Sequence, residues 1–150
     1  MRLSLQVQYA ICGSFDLAYN GGGAPVQVRV ISERQAIPAR YLEQIFQRLR
    51  RAGLIRSKRG PGGGYTLARS SAQITLLAIV EALEGPLSEG LALDPPADAE
   101  RCDFRPGFVG GIVAESVAGA LAEINLDSLC KQAARAELRR ARPDAPMYFI

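Results

Sequence analysis

Three cysteines and no histidine bound the chemistry open to this chain of 150 residues. Without imidazole there is no Ser-His-Asp or Cys-His nucleophile and no histidine metal ligand. The cysteines stand at Cys12, Cys102 and Cys130, an odd count with no Cys-x-x-Cys pair, so no closed disulfide framework is expected. A reducing cytoplasm is the expected setting. A second candidate is the glycine-rich run Lys58-Arg59-Gly60-Pro61-Gly62-Gly63-Gly64-Tyr65. As a nucleotide phosphate loop it fails, because no Gly-Lys-Ser/Thr follows and a strand rather than a helix comes next. It suits instead a slim hairpin tip with cations at its edge, able to approach a polyanion closely. The third candidate is the set Arg40, Glu43 and Gln44. Arginine pairs with the guanine edge, glutamine with adenine, and glutamate accepts from cytosine. A helix showing these three outward can read a DNA major groove.

Charge is divided along the chain. Residues 1–70 hold eleven Lys/Arg against three acids (Asp16, Glu33 and Glu43), while residues 71–150 hold seven against twelve. A basic half joined to an acidic half suits a first half that meets a polyanion. Hydrophobic residues make up 48% and charged residues 22%, so a packed core is expected rather than a disordered chain. No apolar run is long enough to span a membrane, and the alternation after Met1-Arg2 does not read as a secretion signal. No membrane partner is expected.

These candidates need elements to hold them. Leu5, Tyr9, Cys12 or Gly13, and Leu17 recur at helical spacing, which predicts a first helix over Leu3 to Tyr19. Asn20-Gly21-Gly22-Gly23 stops it, and Ala24 to Val30 is expected to be extended. Ser32-Glu33-Arg34-Gln35 reads as a capping box that opens a second, short helix. Pro38 suits the first turn of a third helix, over Pro38 to Ala52, with Leu42, Ile45, Phe46 and Leu49 on its buried face. Arg48, Arg50 and Arg51 lie further along it and suit phosphate contacts, as does Lys58 in the hairpin. Leu54 to Ser57 and Tyr65 to Ala68 are the strands of that hairpin. A fourth helix is expected over Ile74 to Glu84.

Residues 86–107 hold four prolines (Pro86, Pro95, Pro96 and Pro106) and many acids, and read as a loop. A long helix is expected from Phe108 to Ile124, with the stripe Val109, Val113, Val117, Leu121 and Ile124 as a dimer interface. Asn125 to Leu129 reads as a break and a short cap-like turn, Lys131 to Arg142 as a polar helical tail, and residues 143–150 as disordered. The fold class is thus mostly α: a winged helix-turn-helix domain over 1–85, a sensor loop over 86–107, and a dimerisation helix with a helical tail over 108–142.

The residues Ile31-Ser32-Glu33-Arg34-Gln35, Tyr41 to Arg50, Gly53-Leu54-Ile55 and Arg59 to Tyr65 occur in an order that resembles the Rrf2 family of bacterial winged-helix transcription regulators. In pattern the chain is most similar to the iron–sulfur cluster regulators of that family. The resemblance is dense over residues 1–85 and architectural over 108–130. It implies a homodimer on an operator in double-stranded DNA, regulating transcription as a repressor and performing no enzymatic reaction. It places Arg40, Glu43, Gln44 and the wing residue Arg59 at base-reading positions, and Tyr9 and Arg50 at phosphates.

The chain departs from the family at the sensor. Many members hold an iron–sulfur cluster through three cysteines in the loop before the dimer helix, and this loop has only Cys102. The family architecture would bring Cys12 of one subunit near Cys102 of the other. The pair would then form a disulfide, or hold a two-iron cluster completed by carboxylates or Gln8, making the regulator redox-responsive. The bland alternative is a buried Cys12 and a chance loop thiol at Cys102, with Cys130 structural. The alternatives in function are a small-ligand-binding module and an RNA-binding winged helix.

Overall fold

The computed structural model describes residues 2–91, 93 and 105–141. In chain order it contains α1 (Leu5–Asn20), α2 (Val28–Gln35), α3 (Ala39–Arg51), β1 (Ile55–Lys58) and β2 (Gly64–Leu67). A 3-10 turn at Ser71–Gln73, α4 (Leu76–Glu84), the single turn α5 (Leu87–Gly90), α6 (Val109–Glu123) and α7 (Leu126–Arg135) follow. The mostly α class with one two-stranded wing is as expected. Cys102, most of the loop 86–107 and residues 143–150 lie outside the described residues.

Helix α1 is the hub. Ser4 opens it by accepting from the Val7 amide at 3.3 Å. It packs against α2, α3, α4 and α7. The core it enters is built from Ile31 of α2, Leu42, Ile45, Phe46 and Leu49 of α3, Ile79 and Leu83 of α4, and Leu126 and Cys130 of α7. Gly13 sets the closeness of α1 to α3. A Cβ there would stand 2.6 Å from Phe46 Cε1 and 3.1 Å from Leu42 Cδ1.

A buried carboxylate fixes α2 beside α1. Asp16 is fully buried. It accepts from Arg34 Nε at 3.1 Å, from Arg34 Nη2, from Gln35 Nε2 at 2.9 Å and from Asn20 Nδ2 at 3.1 Å. Arg34 and Gln35 are the end of α2, so the cluster holds the point where the chain turns toward α3. The turn itself passes through Ala36, at φ 53°, in the left-handed region where glycine is the usual occupant.

Two expected boundaries are corrected. Ser32 does not open α2, which starts four residues earlier, after Gln27. The hydroxyl of Ser32 instead donates to the Ile37 carbonyl at 2.5 Å, tying α2 to the turn after it. Of the stretch Ala24 to Val30, Val26 is extended, because its backbone pairs with Tyr65. Val28 and Ile31, three residues apart, then turn one helical face to the core. Near the other end, Asn125 caps a helix, in keeping with the cap-like turn expected there. Its Oδ1 accepts from the Ser128 amide at 2.8 Å, and Ser128 Oγ accepts from the Asn125 amide at 3.3 Å. The helix therefore begins at Leu126 and ends at Arg135, not Arg142.

After α7 the chain reverses at Glu137, φ 54°, and runs across the end of α1. Tyr19 donates its hydroxyl to the Leu138 carbonyl at 2.8 Å, and the Ala141 amide donates to Asn20 Oδ1 at 2.8 Å. The Arg140 guanidinium lies 5.5 Å from the centre of the Tyr19 ring.

Gly13→Ala should therefore force α1 away from α3 and destabilise the protein by roughly 1–3 kcal/mol, the usual cost of overpacking a core. Urea unfolding followed by circular dichroism measures it. An unchanged midpoint would mean that the α1–α3 spacing is not set at Gly13.

Candidate nucleic-acid interface

Helix α3 is sharply two-faced. Leu42, Ile45, Phe46 and Leu49 are buried, and at 3.6 residues per turn Arg40, Gln44, Gln47 and Arg51 fall together on the opposite side. Glu43 and Arg50 flank that row, and all six are exposed. Gln47 shares this exposed row with Arg40 and Gln44. The same periodicity that located the buried face would have named it. Tyr9 of α1 is half-buried and meets Tyr41 of α3 edge to face, with ring centres 5.7 Å apart.

The wing is an antiparallel pair in which Ile55 faces Leu67 and Lys58 faces Gly64. Ile55 and Leu67 are buried, while Arg56, Ser57, Lys58 and Arg59 are exposed. The hairpin does not hang free. Val26 and Tyr65 exchange backbone hydrogen bonds of 2.9 and 2.8 Å. Gly64, at φ 149°, lies so close that a Cβ would stand 2.5 Å from the Val26 backbone. The Tyr65 ring packs edge-on against Phe46, 5.0 Å between centres. Phe46 is the middle of the buried face of α3, so wing and helix rest on one support. Arg50 adds a direct link, its Nη1 donating to Ser57 Oγ of β1 at 3.1 Å. Among the described residues no acid pairs with Arg40, Arg50, Arg51, Lys58 or Arg59. Arg56, which the sequence did not single out, adds an exposed cation on β1.

Arg48 is placed differently from its expected phosphate contact. Its guanidinium donates to Gln6 Oε1 at 2.8 Å and to the Leu83 carbonyl near the end of α4. Beside it Ser4 Oγ donates to Glu84 Oε1. Arg48 thus ties the end of α3 to the start of α1 and the end of α4. Periodicity puts it at the border of the exposed face, and the neighbouring helices reach it there.

The stripe expected at the dimer interface divides between two environments. Gly110 and Ala114 are buried, and Val117 and Leu121 half-buried, on the side of α6 that packs on α4 and α5. Val109 and Ile124 are half-buried as well. Val113 is 41% exposed, beside Ile112 at 57% and Phe108 at 70%. The free apolar face is therefore centred on Phe108, Ile112 and Val113.

The expected sensor residues are only partly brought together. Cys12 is half-buried in α1, and burial pushes its thiol above the usual range. Gln8 donates its Nε2 to the Leu3 carbonyl at 2.7 Å. Cys130 is fully buried, its thiol pushed up to about 12 by burial and by the Asp127 carboxylate, with Arg140 opposing. Cys102 lies outside the described residues. Among the described residues no three of His, Cys, Asp and Glu gather as a metal-ligand group. A cluster of the three-cysteine kind needs three thiolates from the loop before α6, and residues 86–107 hold only Cys102. The donor set present does not fit that cluster.

A helix pair with a tight turn, backed by a third helix and followed by a pinned two-stranded hairpin, is a winged helix-turn-helix, a class of fold used by transcription regulators. Comparison with known proteins makes the class particular. A family model described as "Rrf2: Iron-dependent Transcriptional regulator" matches residues 3–132, and the chain belongs to the Rrf2 family. That family is one of transcription regulators rather than enzymes. The HTH-type transcriptional regulator IscR of Sodalis glossinidius is 43% identical over 111 residues, 74% of this chain and 61% of that protein. IscR of Photorhabdus laumondii is 36% identical over 139 residues, 86% of this chain and 79% of that one. The chain thus spans about three-fifths of the first relative's length and four-fifths of the second's. Among solved structures, T. potens IscR superposes with a TM-score of 0.72 at 33% identity, covering 94% of each chain. CymR (YrzC), the global cysteine regulator of B. subtilis, gives 0.70 at 29% identity, over 88% of this chain and 98% of that one.

The placement of Arg48 is testable without a ligand. Arg48→Ala should lower unfolding stability by roughly 1–3 kcal/mol, the range for a charge-assisted hydrogen bond lost to partly buried partners. Arg50→Ala, on the open face, should change it by about 0.5 kcal/mol or less. Equal effects in urea titrations would count against Arg48 as an internal tie.

Proposed function

We propose that the chain is a homodimeric, sequence-specific DNA-binding regulator that represses transcription from its operator. The observation that carries this reading is the shared support of two exposed cationic elements: the α3 face and the wing meet through Phe46, Tyr65 and Val26. Arg40, Glu43, Gln44 and Gln47 are the base-edge readers, and Arg59 enters the adjacent minor groove. Tyr9, Arg50, Arg51, Arg56 and Lys58 meet phosphates and fix the register. Pairing through the exposed Phe108, Ile112 and Val113 face of α6 would present two α3 helices about one DNA turn apart. A dimer occupying such a site represses by excluding other proteins from it.

The signal does not enter through a three-cysteine cluster, because the donor set does not support one. Protein purified without oxygen should show substoichiometric iron and no visible absorbance, a result that would also remove the two-iron cluster that Cys12 and Cys102 could share across a dimer. One cluster per subunit, by iron assay and absorbance, would overturn this part of the reading.

Two variants test the interface. Gln44→Ala should weaken binding to the selected operator by roughly 1–3 kcal/mol and relax the preference at one base pair. Arg59→Ala should weaken it mainly where the flanking minor groove is narrow and A·T-rich. Wild-type affinity should fall steeply with salt, and duplex DNA should outcompete RNA. Fluorescence anisotropy measures all of these. Unchanged affinity in both variants, or preference for RNA, would remove α3 and the wing as the DNA-reading surface.

A further inference from the structure

The chain after α7 does more than cover α1. Where it crosses α1 it leaves a cleft of about 610 Å³, a size that suits a small molecule. Phe15 and Asn20 of α1, Arg34 and Gln35 of α2, and Leu138 and Arg139 of the crossing segment line it. None of these belongs to the proposed DNA-reading face.

The lining has two chemical halves. Phe15 is stacked on Tyr19 at 5.1 Å, yet remains half-exposed, and Leu138 is exposed opposite the same space. Together they form an apolar wall suited to a flat ring. The other half is cationic. Asp16 takes the Nε and Nη2 edge of Arg34, and among the described residues Nη1 has no partner. Nη1 is thus a donor on a guanidinium already held in place. Gln35 gives its Nε2 to the same carboxylate, and no described partner takes its Oε1. Arg139 has no described acid beside it. Asp16 offsets the charge of Arg34, so among the described residues Arg139 gives the lining a net positive charge. Guanidinium groups bind carboxylates with paired, charge-assisted hydrogen bonds. An apolar wall facing two arginines, one of them pre-positioned, selects a ligand that is flat and apolar at one end and anionic at the other.

We propose that this cleft binds a small aromatic carboxylate as the effector of the regulator. The ring lies against Phe15 and Leu138, and the carboxylate meets Arg139 and Nη1 of Arg34. Arg34 and Gln35 end α2, Ala36 follows, and α3 begins three residues later. A ligand that draws the crossing segment onto α2 therefore acts at the turn that aims α3. Its effect on operator affinity equals its preference between the arrangements of that turn. This consequence rests on the DNA-binding reading; occupancy of the cleft does not.

The test is calorimetric titration of the full chain, without DNA, using salicylate as the probe. Saturable binding of one salicylate per chain is expected at sub-millimolar affinity. Benzyl alcohol (neutral) and benzylamine (cationic) should bind at least about tenfold more weakly. Arg139→Ala and Leu138→Ala should each weaken salicylate by about fivefold or more, while Arg139→Lys, which keeps the charge but not the paired donors, restores only part of the loss. Both side chains are exposed, so unchanged thermal melting is expected and separates a site effect from misfolding. Absence of saturation below about 10 mM, equal binding of benzylamine, or wild-type affinity in both variants would each overturn the proposal. Anisotropy with the operator, with and without salicylate, is run separately. Calorimetric failure with intact operator binding removes the effector site alone. Failure of operator binding with intact calorimetry removes the DNA reading alone.

Discussion

The arrangement of this protein depends on keeping one carboxylate out of water. A buried, ionised Asp16 without partners would be untenable, because removing a charge from water costs several kcal/mol even after the surroundings relax. The chain supplies Arg34, Gln35 and Asn20, and Arg34 meets the carboxylate with two donors at once. Two of these residues end α2 and the third lies on α1 itself. The cluster therefore has a directional effect that apolar packing lacks: α2 can sit against α1 in the one orientation that brings those donors to Asp16. From there Ala36 and Pro38 launch α3, whose outward face inherits its aim from the carboxylate.

The wing inherits its position from the same helix by another route. Phe46 supports the Tyr65 ring, Tyr65 pairs with Val26, and Gly64 lets the two backbones close. Val26 lies in the link between α1 and α2, so the hairpin is tied at once to α3 and to the chain leading into α2. Arg48 closes a third tie, from α3 to the ends of α1 and α4. An arginine in a cationic helix thereby serves the fold, while Arg40, Arg51 and Arg59 remain available outside.

Much of this was legible in the residues. The spacing of Leu42, Ile45, Phe46 and Leu49 located α3 and its outward row, because a 3.6-residue repeat leaves few alternatives. The glycine run with Lys58 and Arg59 located the wing. What periodicity could not give were partners distant in sequence. Asp16 reads as a lone acid in a stretch, residues 3–28, without Lys or Arg, and its burial is visible only once α2 is in place. Ser32 carries the local pattern of a cap, but pairing of Val26 with Tyr65 moved the helix start upstream. Asn125 carries the residue type of a cap-like turn, but that the helix starts directly behind it follows from the reciprocal bonds with Ser128. Spacing alone makes the stripe on α6 a single dimer face, because a sequence does not say which side α4 and α5 will cover. Arg48 and Arg50 are two residues apart and chemically identical, and only the neighbours distinguish them.

The crossing of α1 by residues 138–141 bears on the order in which the molecule can be made. The hydrogen bonds of Tyr19 with Leu138 and of Asn20 with Ala141 join positions 119 and 121 residues apart. Leu126 and Cys130 of α7 also enter the core that α1 shares. During synthesis α1 leaves the ribosome first, together with α2, α3 and the wing, and one of its flanks stays bare until α7 emerges. At rates of roughly 5–20 residues per second that interval lasts several seconds. The apolar flank of α1 is then open to chaperones and to other nascent chains, so translation speed between the wing and α7 bears directly on the yield of folded protein.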